Sequence, residues 1–128
     1  MRKKIVLSVL IIFLILTLAG CGNKEAIEKV IDDYWLALSN RQYELAQTYC
    51  IPDGSKYKYV EKLRKEQDPT IKTTFTSCIT KWNWVKAGDA FVSTEMVITA
   101  TGILGMSATE TSPSVEFLDK AGGTWKLK

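Results

Sequence analysis

The fold of this 128-residue chain is decided by the stretch Ile27-Glu28-Lys29-Val30-Ile31-Asp32-Asp33-Tyr34-Trp35-Leu36-Ala37-Leu38. Its large apolar residues recur three and four positions apart, as on one face of an α-helix, while charged residues occupy the other face. The pattern predicts an amphipathic helix from about Lys24 to Ser39. Asn23 is a suitable N-cap, since its side chain can accept a hydrogen bond from the first turn.

Two shorter helices are predicted after the first. Asn40 is a candidate cap for the second helix. The residues that share one face of that helix are Tyr43, Ala46 and Cys50. Pro52-Asp53-Gly54 signals a turn. Ser55 is a candidate cap for a third helix, which must end before Asp68-Pro69 because a residue that precedes proline avoids the helical region.

From Thr70 the sequence changes to a strand pattern, rich in β-branched and aromatic residues. Three apolar residues keep one parity: Ile71, Phe75 and Ile79. Trp82 and Trp84 have the other parity, and a β-bulge near Thr80 and Lys81 explains the switch, since one extra residue reverses the facing. Later strands are separated by Ala87-Gly88-Asp89, by Gly102 to Gly105 and by Ala121-Gly122-Gly123. The sequence therefore predicts an α+β fold, with N-terminal helices packed on a twisted antiparallel four-stranded sheet.

Three segments carry a resemblance to a known superfamily. They are Ile27-x-x-Val30-Ile31-x-x-Tyr34-Trp35-x-Ala37-Leu38, Tyr43-x-x-Ala46 and the closing Gly123-Thr124-Trp125-Lys126-Leu127. Together with the order of elements, they resemble the nuclear transport factor 2-like superfamily. The resemblance implies a cone in which a curved sheet wraps the first helix and leaves a cavity at the open end. Ketosteroid isomerase-like and dehydratase-like members place acid–base groups in that cavity. Other members only bind there or on the sheet, and sheet-face homodimers are common.

The N-terminal residues have the organisation of a secretory signal. Arg2, Lys3 and Lys4 precede an apolar run from Ile5 to Leu18. As a helix this run reaches only about 21 Å, whereas a bilayer core needs about 30 Å. A cleaved signal over residues 1–20 is therefore favoured over an uncleaved transmembrane anchor.

The signal ends in Leu18-Ala19-Gly20-Cys21, which is similar to the lipobox of bacterial lipoproteins. In that family the cysteine receives a diacylglyceryl group and becomes the mature N-terminus. The resemblance implies a lipidated Cys21 and a short tether over residues 21–23, then one domain over residues 24–128. The protein would be held by membrane lipid, through acylated Cys21, on the extracytoplasmic face of the cell membrane.

Charge argues against several classes of partner. The chain has 17 basic and 14 acidic residues. Because Arg2, Lys3 and Lys4 lie in the predicted signal, the remainder carries 14 of each and is neutral. A neutral domain lacks the basic surface that nucleic-acid binding requires. Electrostatic adhesion to anionic lipid is likewise unsupported.

The sequence offers few groups for acid–base chemistry. It has no histidine, the commonest general base near neutral pH. A carboxylate in an apolar pocket can replace it, and Glu95 is the first candidate because it interrupts an apolar strand, followed by Glu116 and Asp119. Strand alternation instead points Glu95 and Glu116 to solvent and places Asp119 near a turn. No cofactor is indicated, and no metal site, since paired thiolates and histidines are missing.

Cys50 and Cys78 remain once Cys21 is assigned to lipid. An exported domain permits a disulfide, and closing a loop of about 29 residues would stabilise the fold by roughly 3–4 kcal/mol. However, Cys50 is predicted to face the core, while Cys78 has the parity opposite to Phe75 and Ile79. Two separate thiols are therefore the favoured alternative to a bridge.

Two groups of apolar residues are candidate contact sites. The aromatic residues that are numerous enough to line a cavity mouth include Tyr57, Tyr59, Trp82 and Trp84. Their other interpretation is ordinary core packing. Ile103, Leu104 and Met106 lie where the strand pattern breaks, so they form either an exposed loop tip suited to a partner or a continuation of the core.

Two functional hypotheses follow from these observations. The first is a non-catalytic domain that binds a small apolar ligand or an unknown envelope protein through its cavity or sheet. The alternative is a small enzyme of the ketosteroid isomerase-like or dehydratase-like type that uses a cavity carboxylate. They differ in whether Glu95 points into an apolar cavity or into water.

Overall fold

A computed structural model describes residues 23–128, which form three helices followed by four strands. The predictions for residues 1–22, including the signal and lipidated Cys21, lie outside the described residues. The helices are α1 (residues 23–39), α2 (Tyr43–Thr48) and α3 (Ser55–Glu66). The strands are β1 (Lys72–Val85), β2 (Asp89–Thr101), β3 (Ser107–Ala121) and β4 (Thr124–Leu127). The predicted fold class is confirmed.

Helix α1 lies lengthwise against the inner face of the sheet. Its buried residues are Ile27, Ile31, Tyr34, Trp35, Ala37 and Leu38, as the periodicity predicts. Asn23 is already helical, so it is not the N-cap that the sequence suggested. Within residues 23–128, none of the helices has both the length and the apolar character needed to cross a membrane.

The two shorter helices follow the predicted order with small differences at their ends. Helix α2 ends at Thr48, so Cys50 lies beyond it and not on its face. The N-cap of α3 is Gly54, and Ser55 is the first helical residue. The helix ends at Glu66, two residues before the Asp68-Pro69 pair that was expected to stop it.

The four strands form one antiparallel sheet in the order β1-β2-β3-β4. The register of β1 shifts between Ile79 and Lys81, which confirms the predicted bulge, and shifts again between Trp82 and Trp84. The second bulge reverses the facing once more. Trp82 therefore pairs with buried Val92, whereas Trp84 is exposed on the outer face, and the expectation that both share a face is wrong.

The C-terminal strand β4 is hydrogen-bonded to the segment between α2 and α3. Cys50 forms a parallel bridge with Leu127, and the Leu127 N–H donates to the Tyr49 carbonyl at 2.8 Å. The Ile51 N–H donates to the Leu127 carbonyl at 2.7 Å. The segment between α2 and α3 is thus joined to β4, which fixes where α3 begins.

The β2–β3 hairpin extends past the helices. Helix α1 starts beside Trp82, whose ring lies 5.4 Å from Lys24 Nζ, and ends beside Phe75, whose backbone N–H donates to Ser39 Oγ at 2.8 Å. Strand β2 runs on to Thr101, beyond the Ile98 that pairs with Phe75. The tip of the hairpin therefore lies at the opposite end of the domain from the start of α1.

The two cysteines of the domain are free and lie in different environments. Cys50 is buried in the core, whereas Cys78 is exposed on the outer face of β1, opposite Glu95. The sheet separates the two side chains, so the structure has separate thiols and not the disulfide. Burial raises the pKa of the Cys50 thiol to about 12. Cys50 therefore has almost no reactive thiolate near neutral pH.

We expect a thiol reagent at pH 8 to modify Cys78 rapidly in the native protein and to leave Cys50 unmodified. The Cys78→Ser variant should lose one fast-reacting thiol relative to the parent, whereas Cys50→Ser should lose none. The measurement is the time course of thiol modification, with and without prior reduction. A fast thiol that appears only after reduction, or that disappears in Cys50→Ser, would contradict the structure.

Candidate functional site

A carboxylate lies buried between the helices and the sheet. Glu116 is on the inner face of β3, opposite Val92, and its side chain is 0% exposed. Lys56, in the first turn of α3, places its Nζ 3.1 Å from both carboxylate oxygens. The Lys56 side chain is 21% exposed, so the ion pair is closed at the carboxylate and accessible at the lysine.

Two aromatic residues of α1 lie beside the Lys56 ammonium. Its Nζ is 4.8 Å from the centre of the Trp35 ring and 5.8 Å from that of Tyr34, within range of cation–π attraction. The indole N–H of Trp35 lowers the pKa of the Glu116 carboxyl, although it forms no hydrogen bond of ordinary geometry. The pair is thus held by groups from α1, α3 and β3.

Burial controls how these groups titrate. It raises the pKa of the Glu116 carboxyl above the usual 4.5, while the Lys56 charge and the Trp35 N–H act in the opposite direction. Burial also raises the pKa of the Tyr34 phenol, to which nearby Cys50 and Glu116 add smaller contributions. Tyr34 therefore remains a neutral hydroxyl that can donate a hydrogen bond.

Several buried polar atoms at or near the ion pair have no hydrogen-bond partner in the described part of the chain. They are Tyr34 Oη, Trp35 Nε1 and Thr94 Oγ1, whereas both Glu116 oxygens lie 3.1 Å from Lys56 Nζ. Thr94 lies on the inner face of β2, two residues beyond Val92. An unpaired buried polar group costs about 1–3 kcal/mol. We name these groups with Lys56 the ion-pair cluster: its atoms would gain from a molecule that donates and accepts hydrogen bonds.

A pocket of about 260 Å³ lies where α1 and α3 end, and we name it the end pocket. Its lining residues are Leu38, Arg41, Tyr43, Leu63, Glu66, Gln67, Asp68, Ile71, Thr73 and Phe75. The lining is mostly apolar with a few polar groups, as in many sites for small organic molecules. Phe75 also contacts Trp35, with ring centres 5.3 Å apart, so a pair of aromatic rings lies between the end pocket and the ion-pair cluster.

Two contacts hold the wall of the end pocket. Arg41, which has a left-handed backbone with φ of 58°, donates from its guanidinium to the carbonyls of Asp68 and Ile71. The Tyr43 hydroxyl donates to Gln67 Oε1 at 3.1 Å. These contacts join the segment before α2 and the first residue of α2 to the segment between α3 and β1.

The predicted aromatic residues are dispersed and do not share one cavity mouth. Tyr59 contacts Trp35 with ring centres 6.3 Å apart, which brings it to the edge of the ion-pair cluster. Tyr57 packs against the core, as does Trp82, which lies under Lys24. Trp84 lies on the outer face, where its ring is tilted by 56° against that of Phe91 with the ring centres 4.7 Å apart.

Of the candidate carboxylates Glu95 and Glu116, one faces the side of the sheet that was predicted and the other does not. Glu95 is exposed on the outer face, opposite Pro113, as alternation predicts. Glu116 was predicted to face solvent, and that prediction is wrong. The alternation rule assumes that Val115 and Phe117 face the core, but both are exposed, and Phe117 stacks on Phe91 with ring centres 4.6 Å apart.

The remaining candidates lie away from the cluster. Asp119 is partly exposed and forms an ion pair with Lys128 Nζ at 3.0 Å. Ile103, Leu104 and Met106 are exposed at the hairpin tip, so their interpretation as core residues is wrong. Within residues 23–128 there is no group of three or more His, Cys, Asp or Glu side chains that could hold a metal ion.

Lys56 and Arg41 are among the site residues that the sequence reasoning missed. Lys56 had an available signal: a cation in the first turn of a helix is disfavoured by the helix dipole, so its presence there suggests a specific partner. Arg41 had none, because nothing in the local sequence marks an arginine for a left-handed backbone.

Solved structures with the same arrangement of elements are similar to this chain at low identity. A ketosteroid isomerase-like protein from Erwinia carotovora atroseptica has a TM-score of 0.62 at 16% identity, covering 80% of this chain and 88% of its own. A hexachlorocyclohexane dehydrochlorinase of type 2 has a TM-score of 0.70 at 12% identity, covering 87% and 84%. The association domain of C. elegans CaMKII has a TM-score of 0.60 at 15% identity, covering 86% and 94%.

This chain has the nuclear transport factor 2-like fold. The similarities confirm the predicted cone-shaped α+β arrangement, and at these identities they show the fold alone. No protein-family model matches the sequence, and neither does any curated protein. The neighbours that share the nuclear transport factor 2-like fold include enzymes and an association domain, so the function has to be argued from the site.

The raised pKa of Glu116 predicts how stability depends on pH. The native state is disfavoured by ionised Glu116, so the parent should be most stable relative to Glu116→Gln below about pH 4.5. That advantage should fall as pH rises through the raised pKa, by up to about 1.4 kcal/mol per pH unit. Urea unfolding of both proteins from pH 4 to pH 8 measures this difference.

Glu95→Gln, the same replacement at a solvent-exposed position of the neighbouring strand, is the matched control for the substitution itself. A relative stability of the parent that rises with pH would show that attraction to Lys56 exceeds the effect of burial.

Proposed function

We propose that this protein is a lipid-anchored protein on the extracytoplasmic face of the cell membrane. We further propose that its domain binds a small molecule at the ion-pair cluster without catalysing a reaction. The sequence Leu18-Ala19-Gly20-Cys21 supports the anchor. Buried, unpaired hydrogen-bonding atoms around Glu116 support the binding site, and they are the single observation on which that part depends.

The chemistry of the cluster limits the class of ligand. Tyr34 Oη, Trp35 Nε1 and Thr94 Oγ1 can donate hydrogen bonds, and the Glu116 carboxylate, already paired with Lys56, has lone pairs left to accept one. Aromatic rings and aliphatic side chains surround these groups. The cluster therefore suits a compact, uncharged and mostly apolar molecule with a hydroxyl or amide group. Such a ligand would approach beside Lys56, the partly exposed member of the pair.

The same geometry favours binding over catalysis. Lys56 Nζ lies 3.1 Å from both oxygens of Glu116, so the ammonium occupies the carboxylate that would otherwise act as a base. The chain has no histidine to serve as a second acid–base group. Glu95, on which the enzymatic alternative depended first, is exposed on the outer face of the sheet.

We expect a small molecule to co-purify with the full chain when it is extracted from its own cell envelope in mild detergent. Native mass spectrometry should detect the added mass on the parent. Lys56→Met should lose it, because the ion pair that orients Glu116 is removed. Lys58→Met is the matched control, since Lys58 lies on the exposed side of the same helix and its replacement should retain the ligand. An added mass that persists in Lys56→Met would contradict the proposed site.

The anchor is tested by Cys21→Ser in the full chain. We expect the parent to fractionate with membranes and to incorporate labelled fatty acid, and the variant to lose the label because serine has no thiol to alkylate. Cys78→Ser provides the control, since that cysteine is exposed within the folded domain. Identical fractionation and labelling of Cys21→Ser and the parent would contradict the lipid anchor.

A further inference from the structure

Three apolar side chains stand in solvent at the end of the β2–β3 hairpin. Ile103 is 77% exposed, Leu104 is 89% exposed and Met106 is 77% exposed. We name these three residues the apolar tip. Exposed apolar residues that are contiguous in this way mark contact surfaces more often than isolated ones do.

The turn that carries the apolar tip is closed by its own backbone. The Gly102 N–H donates to the Met106 carbonyl at 2.9 Å, and the Gly105 N–H donates to the Gly102 carbonyl at 3.1 Å. Gly105 has a φ of +77°, which favours glycine. The tip is therefore presented by a defined turn, with its side chains directed away from the core.

Residues 99–109, which include the apolar tip and which we name the arm, are uncharged. They contain no ionisable side chain, although Lys72, the first residue of β1, lies opposite Thr101 and so flanks the turn on the β1 side. Ser107 to Thr111 are exposed along β3, and the part of β3 that pairs with β4 is Leu118 to Ala121. A binding surface for the arm must therefore be apolar at its centre and uncharged where it meets the exposed part of β3 in the arm.

The position of the apolar tip in the domain indicates whether it contacts membrane lipid or another protein. The undescribed residues 1–22 join the domain at the start of α1, beside Trp82. From Val92, which pairs with Trp82, strand β2 runs nine residues to Thr101, or about 30 Å at about 3.3 Å per residue. A chain anchored through Cys21 thus has its lipid at one end and the apolar tip at the other.

A second copy of this chain is a poor fit for the tip alone. Three side chains from each copy bury far less than the total of about 1,000 Å² expected of a specific interface. A groove can instead enclose the tip together with both faces of the exposed arm. We propose that the apolar tip inserts into an uncharged apolar groove of another envelope protein, on the side of the domain that faces away from the membrane.

This inference uses the lipid anchor of the proposed function to orient the domain, and its test has two stages. In the first, a photo-crosslinking amino acid replaces Leu104 in the full chain, expressed in its own host. Leu36, which is 59% exposed on α1, is the matched control position. We expect a crosslink from position 104 to one protein heavier than this chain, and none to that protein from position 36. Crosslinks only to a second copy, only to lipid, or to no molecule would overturn the proposal.

The second stage uses the crosslinked protein, identified and purified. The parent should bind it at least about a hundredfold more tightly than a variant that carries Ile103→Ser, Leu104→Ser and Met106→Ser. Because all three side chains are exposed, the variant should unfold at the parent's urea concentration, which separates lost contact from lost folding. Equal affinity of the parent and this variant would overturn the proposal.

The failure of this inference can be distinguished from failure of the proposed function. If labelling of Cys21→Ser and the parent shows that no lipid is attached, and the crosslink from position 104 persists in that variant, the proposed anchor is wrong. The proposed docking of the apolar tip is then still supported. If the anchor is confirmed and position 104 gives no crosslink to another protein, the docking tip is wrong and the anchor stands.

Discussion

The ion pair between Lys56 and Glu116 is the constraint on which the rest of the domain depends. A carboxylate that is 0% exposed must keep a partner, because removing one member of a buried pair typically costs about 3–5 kcal/mol. The pair joins α3 to β3 and so fixes how the helices lie on the sheet. The facing of β3 buries Leu118 on the same side as Glu116, so a shift of one residue would expose Leu118, and Lys56 compensates the charge that this facing buries.

The aromatic row on the outer face follows from that facing. With Glu116 turned inward, Val115 and Phe117 must point outward, and Phe117 stacks on Phe91, which in turn contacts Trp84. The second bulge of β1 is what brings Trp84 to this side. Offset and tilted ring contacts stabilise the sheet by about 0.5–1.5 kcal/mol each beyond the area they bury, so the outer face gains order without a covering layer.

The elements that could be predicted are those whose cause is local. The spacing of apolar residues predicted α1, and the change of parity after Ile79 predicted the first bulge. The facing of Glu116 could not be predicted, because its charge is compensated by Lys56, sixty residues away in sequence. The exposure of Leu104 could not be predicted either, because the same apolar run is compatible with a buried strand and with an exposed turn. The side chain is exposed because β2 is longer than the part of the sheet that α1 covers.

The ion-pair cluster and the apolar tip are mechanically separate parts of the fold. A molecule bound at the cluster would contact Trp35 on α1, Lys56 on α3 and Glu116 on β3, and so would strengthen the packing of helices on the sheet. The tip is carried by the turn between β2 and β3, beyond the end of α1, and is held by the backbone hydrogen bonds of its own turn, with the start of β1 beside it. The arm therefore needs no rearrangement of the core to meet a partner. The proposed ligand site and the proposed docking tip are therefore separable by mutation, because no described contact of the tip depends on the cluster.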